Sequence, residues 1–247
     1  MIPKYRVVAL KRGSLTVDRS SLIYGVDYGI NMEVPIWMAG IEGNGQKILV
    51  DTGIRSSEWV GENIAPCRQE TDETLEGAIK SIGWNVDTIN IIINTHLHYD
   101  HCGGNCLFAN ARFFVSETEW EHARFPIETQ KIFYDGSWSC GSVNYFSYIF
   151  VSDHYEVLPG IRLISTPGHT PGHISVLVNT KEGVLAITGD AANLPENLVK
   201  MTPPGIVYDV QTALYSLKQL ASYSDMLLTG HDPEIRKFQD SNFKRFR

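Results

Sequence analysis

The stretch Thr95-His96-Leu97-His98-Tyr99-Asp100-His101 holds the densest chemistry in this sequence. Three imidazoles and a carboxylate fall between positions 96 and 101, directly after the apolar run Ile89–Asn94. Imidazole nitrogen and carboxylate oxygen are the donors that hold first-row metals, zinc foremost. His96 and His98 are two residues apart, so an extended turn projects both to one side. Asp100 and His101 are expected on a tight loop that Gly103-Gly104 lets fold back. The plainer reading is a polar loop with incidental histidines. Four donor residues packed this closely seldom arise without a metal to hold.

Further donors stand where other strands should end. His169 follows Ile161–Ser165, Asp190 follows Val184–Thr188, and His231 follows Met226–Thr229. Their convergence on the first cluster would close a binuclear site. Other candidates read differently. His173 enters the next strand and is expected to orient a ligand or sit in the core. His122, on a helix, and His154, in a loop, read as surface residues. Cys102 and Cys106 flank a Gly-Gly-Asn turn and read as buried thiols, because the histidine-carboxylate set already satisfies two metals.

Strands must carry these groups. Besides those named, Val34–Ile41, Lys47–Asp51, Arg112–Val115 and Ile174–Val178 are rich in Val, Ile and Leu. Pro159-Gly160 marks a turn between Glu156–Leu158 and Ile161–Leu163. Ser116 and Glu119 form a candidate capping box for one helix. Asp209 caps another, in which Val210, Ala213, Leu214, Leu217, Leu220 and Ala221 recur at helical spacing. A third is expected from about Thr71 to Ser81, ending near Gly83. This order implies a layered α/β architecture. Ile48–Gly53 echoes Leu185–Asp190: each is an apolar strand leading into a turn with an aspartate. Chance explains so short an echo equally well.

The composition is that of a folded chain: 43% hydrophobic and 20% charged over 247 residues. A net charge of -7 makes nucleic acid a poor partner. No apolar stretch is long enough to span a bilayer, so no membrane association is expected. Met1 to Arg12 lacks the apolar run and cleavage site of a signal peptide. Four cysteines are too few for a disulfide scaffold of this size, and a reducing, cytoplasmic setting fits them.

The motif His96-Leu97-His98-Tyr99-Asp100-His101, followed by His169, Asp190 and His231, resembles the signature of the metallo-β-lactamase superfamily. The resemblance implies one α/β domain over residues 1–247, an αββα sandwich with the site between two sheets. It implies two metal ions, zinc with Fe, Mn or Co as alternatives. His96, His98 and His169 would bind the first, Asp100, His101 and His231 the second, and Asp190 both. Within the superfamily the chain is most similar to N-acyl-homoserine lactonases, with 4-pyridoxolactonases as near relatives. Val34-Pro35-Ile36-Trp37, Ile48 to Gly53, Tyr155 to Gly160 and Thr166 to His173 carry the likeness.

That family opens small-molecule lactones or related esters. Asp100 would move the proton between nucleophile and leaving group, and Asp51 would orient the ligand loop. Phe108 and Asn193 would contact substrate. Asn193 stands where those lactonases carry a tyrosine, so it is expected to donate through its amide from farther back and to favour a lactone of another shape. The aromatic-rich segment from about Pro126 to Phe150 is least similar and reads equally as a substrate wall or as core. Two rivals are a thioesterase resembling hydroxyacylglutathione hydrolase and a metal-containing ligand-binding regulator with little turnover. The chain ends soon after His231, without the C-terminal substrate domain of the first. The intact ligand set argues against the second.

Overall fold

A computed structural model describes residues 2–108, 110–138, 147–236, 239, 240, 243 and 245. One sheet runs in the order β4 (Cys67–Arg68), β1 (Arg6–Asp18), β2 (Asn31–Gly43), β3 (Gln46–Val50), β5 (Ile91–Ile93), β6 (Arg112–Ser116), β7 (Ser147–Val151). The other runs β12 (Met226–Thr229), β11 (Val184–Gly189), β10 (Ile174–Asn179), β9 (Ile161–Ser165), β8 (Tyr155–Leu158). Successive side chains in a strand face opposite sides. Val7, Ala9, Ile48, Val50, Ile91 and Ile93 therefore enter a core shared with Ile174, Val176, Leu185, Ile187 and Leu228 of the second sheet. Val8, Leu10, Leu49 and Ile92, between them in sequence, enter a separate core with Leu75 and Ile79.

Helices close the outer faces. α1 (Ser57–Asn63) precedes α2 (Leu75–Ser81), which covers the first sheet. α3 (Tyr99–Cys102), α4 (Glu117–Arg124) and α5 (Lys131–Trp138) lie along the chain between β5 and β7. α6 (Pro195–Val199) and α7 (Val210–Tyr223) cover the second sheet, where Leu198, Leu217 and Leu220 meet Ile164, Leu177 and Ala186. The architecture is an αββα sandwich. No helix among the described residues is long and apolar enough to cross a membrane.

The apolar runs become strands nearly as expected, but β1 does not show in the sequence. Lys11-Arg12-Gly13 interrupts its alternation. The chain absorbs this in a register shift against β2 between Lys11 and Ser14, with Gly13 at φ 125°. The Arg12 side chain turns inward and donates to the carbonyls of Thr52 (3.1 Å), Ile54 (2.9 Å) and Glu73. Burial lowers its pKa to about 10, so it stays a cation at neutral pH.

The expected helix over 71–81 breaks at Thr74, whose hydroxyl caps α2 by accepting from Gly77 N–H at 3.2 Å. α7 starts as expected, with Asp209 accepting from Thr212 N–H at 2.6 Å. Ser116 forms no side-chain cap, and Glu119 is buried rather than turned back to the helix start. Cys102 is a buried free thiol and Cys67 a half-buried one, whereas Cys106 is disulfide-bonded, which corrects its expected state. Cys140 lies outside the described residues.

Gly172, in the turn between β9 and β10, lies against the backbone of Glu119, and a Cβ there would sit inside contact distance of its N and Cα. Gly172→Ala should cost roughly 3 kcal/mol, a fall in Tm of about 6–12 °C, measurable by thermal denaturation.

Candidate metal centre

The donor residues stand at neighbouring strand ends. β5 runs into His96 and His98, and α3 follows with Asp100 and His101. These two lie on one helical turn rather than on a loop. Gly103 and Gly104 have ordinary negative φ. Glycine is needed there because a Cβ would strike the backbone of Gly53, Arg55 and Thr52. His169 lies between β9 and β10, Asp190 follows β11, and His231 follows β12. Their ligand atoms form three groups, each within 4.8 Å: His96, His98, His169; His96, His101, Asp190; and Asp100, His101, His231.

Each ring is turned by a partner outside the group. His101 Nδ1 donates to Asp51 Oδ2 at 2.8 Å, and His96 Nδ1 to Thr95 Oγ1 at 3.1 Å. His169 Nδ1 donates to the Ile206 carbonyl at 2.7 Å, and His231 Nδ1 to the Pro35 carbonyl at 2.8 Å. With Nδ1 directed outward in all four, each Nε2 faces the interior. His98 is reversed: its Nδ1 lies 3.0 Å from His169 Nε2.

The fit to cations shows in what remains unbonded. Buried atoms without a hydrogen bond include His96 Nε2, His98 Nε2, His101 Nε2 and Asp190 Oδ1. Orphaned lone pairs in a protein interior cost free energy unless something coordinates them. The electrostatics agree. Burial, with the neighbouring imidazoles, holds His96 and His98 well below the ordinary histidine range, and burial lowers His169. These rings are therefore neutral. Burial also works against charge on His101, yet Asp190, Asp100 and Asp51 together push its pKa well above ordinary. The same carboxylate field attracts a metal cation.

Three buried groups brace the ligands. Asp51 accepts from Thr95 N–H and Thr95 Oγ1–H, each at 2.8 Å, besides His101. Glu119 accepts from Leu97 N–H at 3.0 Å, Tyr134 Oη–H at 3.0 Å and Thr170 Oγ1–H at 2.5 Å. It thereby joins the His96–His98 turn to the His169 turn. The cap signal around Ser116 concealed this role, as the Lys11-Arg12-Gly13 interruption of β1 concealed that of Arg12. His173, as expected, stays outside the donor groups. Its Nε2 accepts from Asp190 N–H at 3.1 Å, and its Nδ1 donates to Thr166 Oγ1 at 2.9 Å.

The other residues divide. Asn193 lines the pocket over the site with Leu22, Val34, His98, Asp100, Phe133, Asp190 and His231. One of its two amide hydrogens is directed to the Leu22 carbonyl at 3.3 Å. Phe108 is not among the pocket-lining residues, which corrects its expected contact with substrate: it packs with Leu75, Ile92 and Phe113 in the outer core under α2. His122 is half-buried and bonds Gln130 at 3.2 Å, while His154 is exposed. In the aromatic segment, Phe133 is a pocket wall and Tyr134 packs edge-on to His98 at 4.6 Å. Tyr148 and Phe150 lie against Trp120. Tyr145 and Phe146 lie outside the described residues.

Residues 34–231 match the metallo-beta-lactamase superfamily, and the chain belongs to that family. It is 33% identical over 240 residues to an N-acyl homoserine lactonase of Bacillus cereus, covering 91% of this chain and 92% of that one. It is 32% identical over 169 residues to a probable metallo-hydrolase of Methanocaldococcus jannaschii, covering 68% and 70%. A solved N-acyl homoserine lactone hydrolase, with the product N-hexanoyl-L-homoserine at its catalytic metal center, superimposes with a TM-score of 0.80 at 29% identity, covering 95% of each chain.

Asp51→Asn should present an amide N–H to His101 Nδ1 or to Thr95, forcing a different tautomer or breaking a bond. Metal affinity should fall roughly 10–100-fold, read by competition with a chromophoric chelator. His173→Ala should lose much less. Equal losses would show that His173 braces the centre as strongly as Asp51 does.

Proposed function

We propose that this chain is a metal-dependent hydrolase that opens lactone or related ester rings, as its N-acyl homoserine lactonase relatives do. In this reading it holds two metal ions, zinc in the first instance. His96, His98 and His169 would hold one, Asp100, His101 and His231 the other, and Asp190 would serve both. The supporting observation is the convergence of these donors, several with orphaned lone pairs, in a pocket over the strand ends. Bound there, the cations would polarise a carbonyl and acidify a water.

The chain supplies the rest. Asp100 Oδ2 stands 3.8 Å from His101 Nε2 and 3.7 Å from His231 Nε2. It faces the pocket, where it can take the proton of the attacking water and return it to the leaving alkoxide. Leu15, Leu22, Val34 and Phe133 form an apolar wall that excludes bulk water and seats the ring. His101 and His231 are held by carbonyl or carboxylate partners, so neither ring need turn during the reaction. The substrate in this reading is a small molecule rather than nucleic acid.

Elemental analysis after zinc reconstitution should find about two equivalents per chain, and the loaded protein should hydrolyse γ-lactones. Asp190→Ala should lose metal and activity together. A metal content near zero, or turnover unaffected by exhaustive chelation, would overturn the proposal.

A further inference from the structure

Asn193 is 3% exposed and lines the pocket beside Asp100, Asp190 and His231. Its amide is fixed on one side. Nδ2 donates to the Leu22 carbonyl at 3.3 Å, and Asn197 Nδ2 donates to the same carbonyl at 3.1 Å. Turning the Asn193 amide over would set its oxygen against that carbonyl, acceptor against acceptor. Its main chain is fixed as well, because His231 N–H bonds the Asn193 carbonyl at 2.9 Å. The second Nδ2 hydrogen and Oδ1 remain, and Oδ1, which is buried, is the atom left wholly unpartnered.

None of the residues around the pocket bonds it: Leu22, Val34 and Leu15 are apolar, Asp100 and Asp190 are acceptors, and the Ser21 hydroxyl is committed to the Asp18 carbonyl at 2.7 Å. A lone acceptor in such a wall is satisfied when the molecule entering the pocket brings a donor. A phenol at this position would give a hydrogen bond to the substrate. Here the unpartnered buried atom is an acceptor.

We propose that Asn193 determines specificity through Oδ1, which accepts a hydrogen bond from an N–H or O–H carried next to the substrate carbonyl. The preferred substrates are lactones substituted with an amide or a hydroxyl, over bare or alkylated ones. This rests on the lactonase reading of the site.

The test uses zinc-loaded full-length protein and two matched pairs of γ-butyrolactones. One pair is α-hydroxy against α-methyl; the other is α-acetamido against α-acetonyl, in which a methylene replaces the N–H. Intrinsic reactivity differs within each pair, so the measurement is the change in the ratio of kcat/KM on mutation. Asn193→Leu should lower the donor-to-donorless ratio about 10–100-fold, and Asn193→Asp, which keeps an acceptor, should largely retain it. Asn193→Ala serves in the same comparison if the leucine variant fails to fold. Calorimetric binding of the α-hydroxy and α-methyl lactams gives a second measurement without turnover. Lactone hydrolysis with a ratio unmoved by Asn193→Leu and Asn193→Ala would overturn this inference and leave the lactonase reading standing. Donor preference in lactam binding, lost in those variants, with no lactone turnover would sustain the inference and overturn that reading. No preference in either measurement would overturn the inference.

Discussion

The Asp51 carboxylate accepts Thr95 N–H, Thr95 Oγ1–H and His101 Nδ1–H, all at 2.8 Å. Asp51 is 3% exposed, and a charge so buried persists only when its lone pairs are filled. Filling them fixes the turn that begins at Thr95 and the helical turn that carries His101. Asp51 itself has φ 62°, a conformation that costs an aspartate about 1–3 kcal/mol and needs support around it. Arg12 gives that support from β1 by holding the next carbonyls, Thr52 and Ile54. A buried cation tied to main-chain carbonyls and a buried anion tied to Thr95 and His101 thus set the backbone path beneath the donor residues.

Glu119 does the same work on the opposite flank. It binds one donor from the His96–His98 turn, one beside His169, and the phenol of Tyr134, whose ring packs on His98. His96, His98, His101 and His169 therefore sit in braced turns rather than on free loops. Preorganisation of this kind lowers the reorganisation needed when a metal enters.

What could be read from the sequence was what chemistry and periodicity make local. His96, His98, Asp100 and His101 declare themselves by density, and His169, Asp190 and His231 by following apolar runs. The strands alternate between two cores and so read as strands. Glu119 was hidden because a glutamate three residues after a serine has an equally good local explanation as a cap. Arg12 was hidden because a charged residue inside a strand argues against burial until the carbonyls it meets are known. Both act across long sequence separations, Arg12 to Thr52 and Glu119 to Thr170, and local pattern carries no trace of such contacts. Phe108 shows the converse: a site neighbour in sequence, turned away by the core it fills.

The faint echo between Ile48–Gly53 and Leu185–Asp190 has a structural counterpart. β2 and β3 form a hairpin, and β3 then pairs in parallel with β5; β10 and β11 form a hairpin, and β11 pairs in parallel with β12. Two helices lie in each crossover. The two echoed aspartates, one from each sheet, meet a single imidazole: Asp51 at His101 Nδ1, 2.8 Å, and Asp190 at its Nε2, 3.1 Å. That ring consequently works as a gauge of alignment between the sheets. A slip of roughly 1 Å of one sheet past the other would either break the Asp51 hydrogen bond or draw Asp190 away from Nε2. The volumes of Val50 and Ile187, deep in the shared core and out of reach of any substrate, thereby become part of the tolerance of the metal centre.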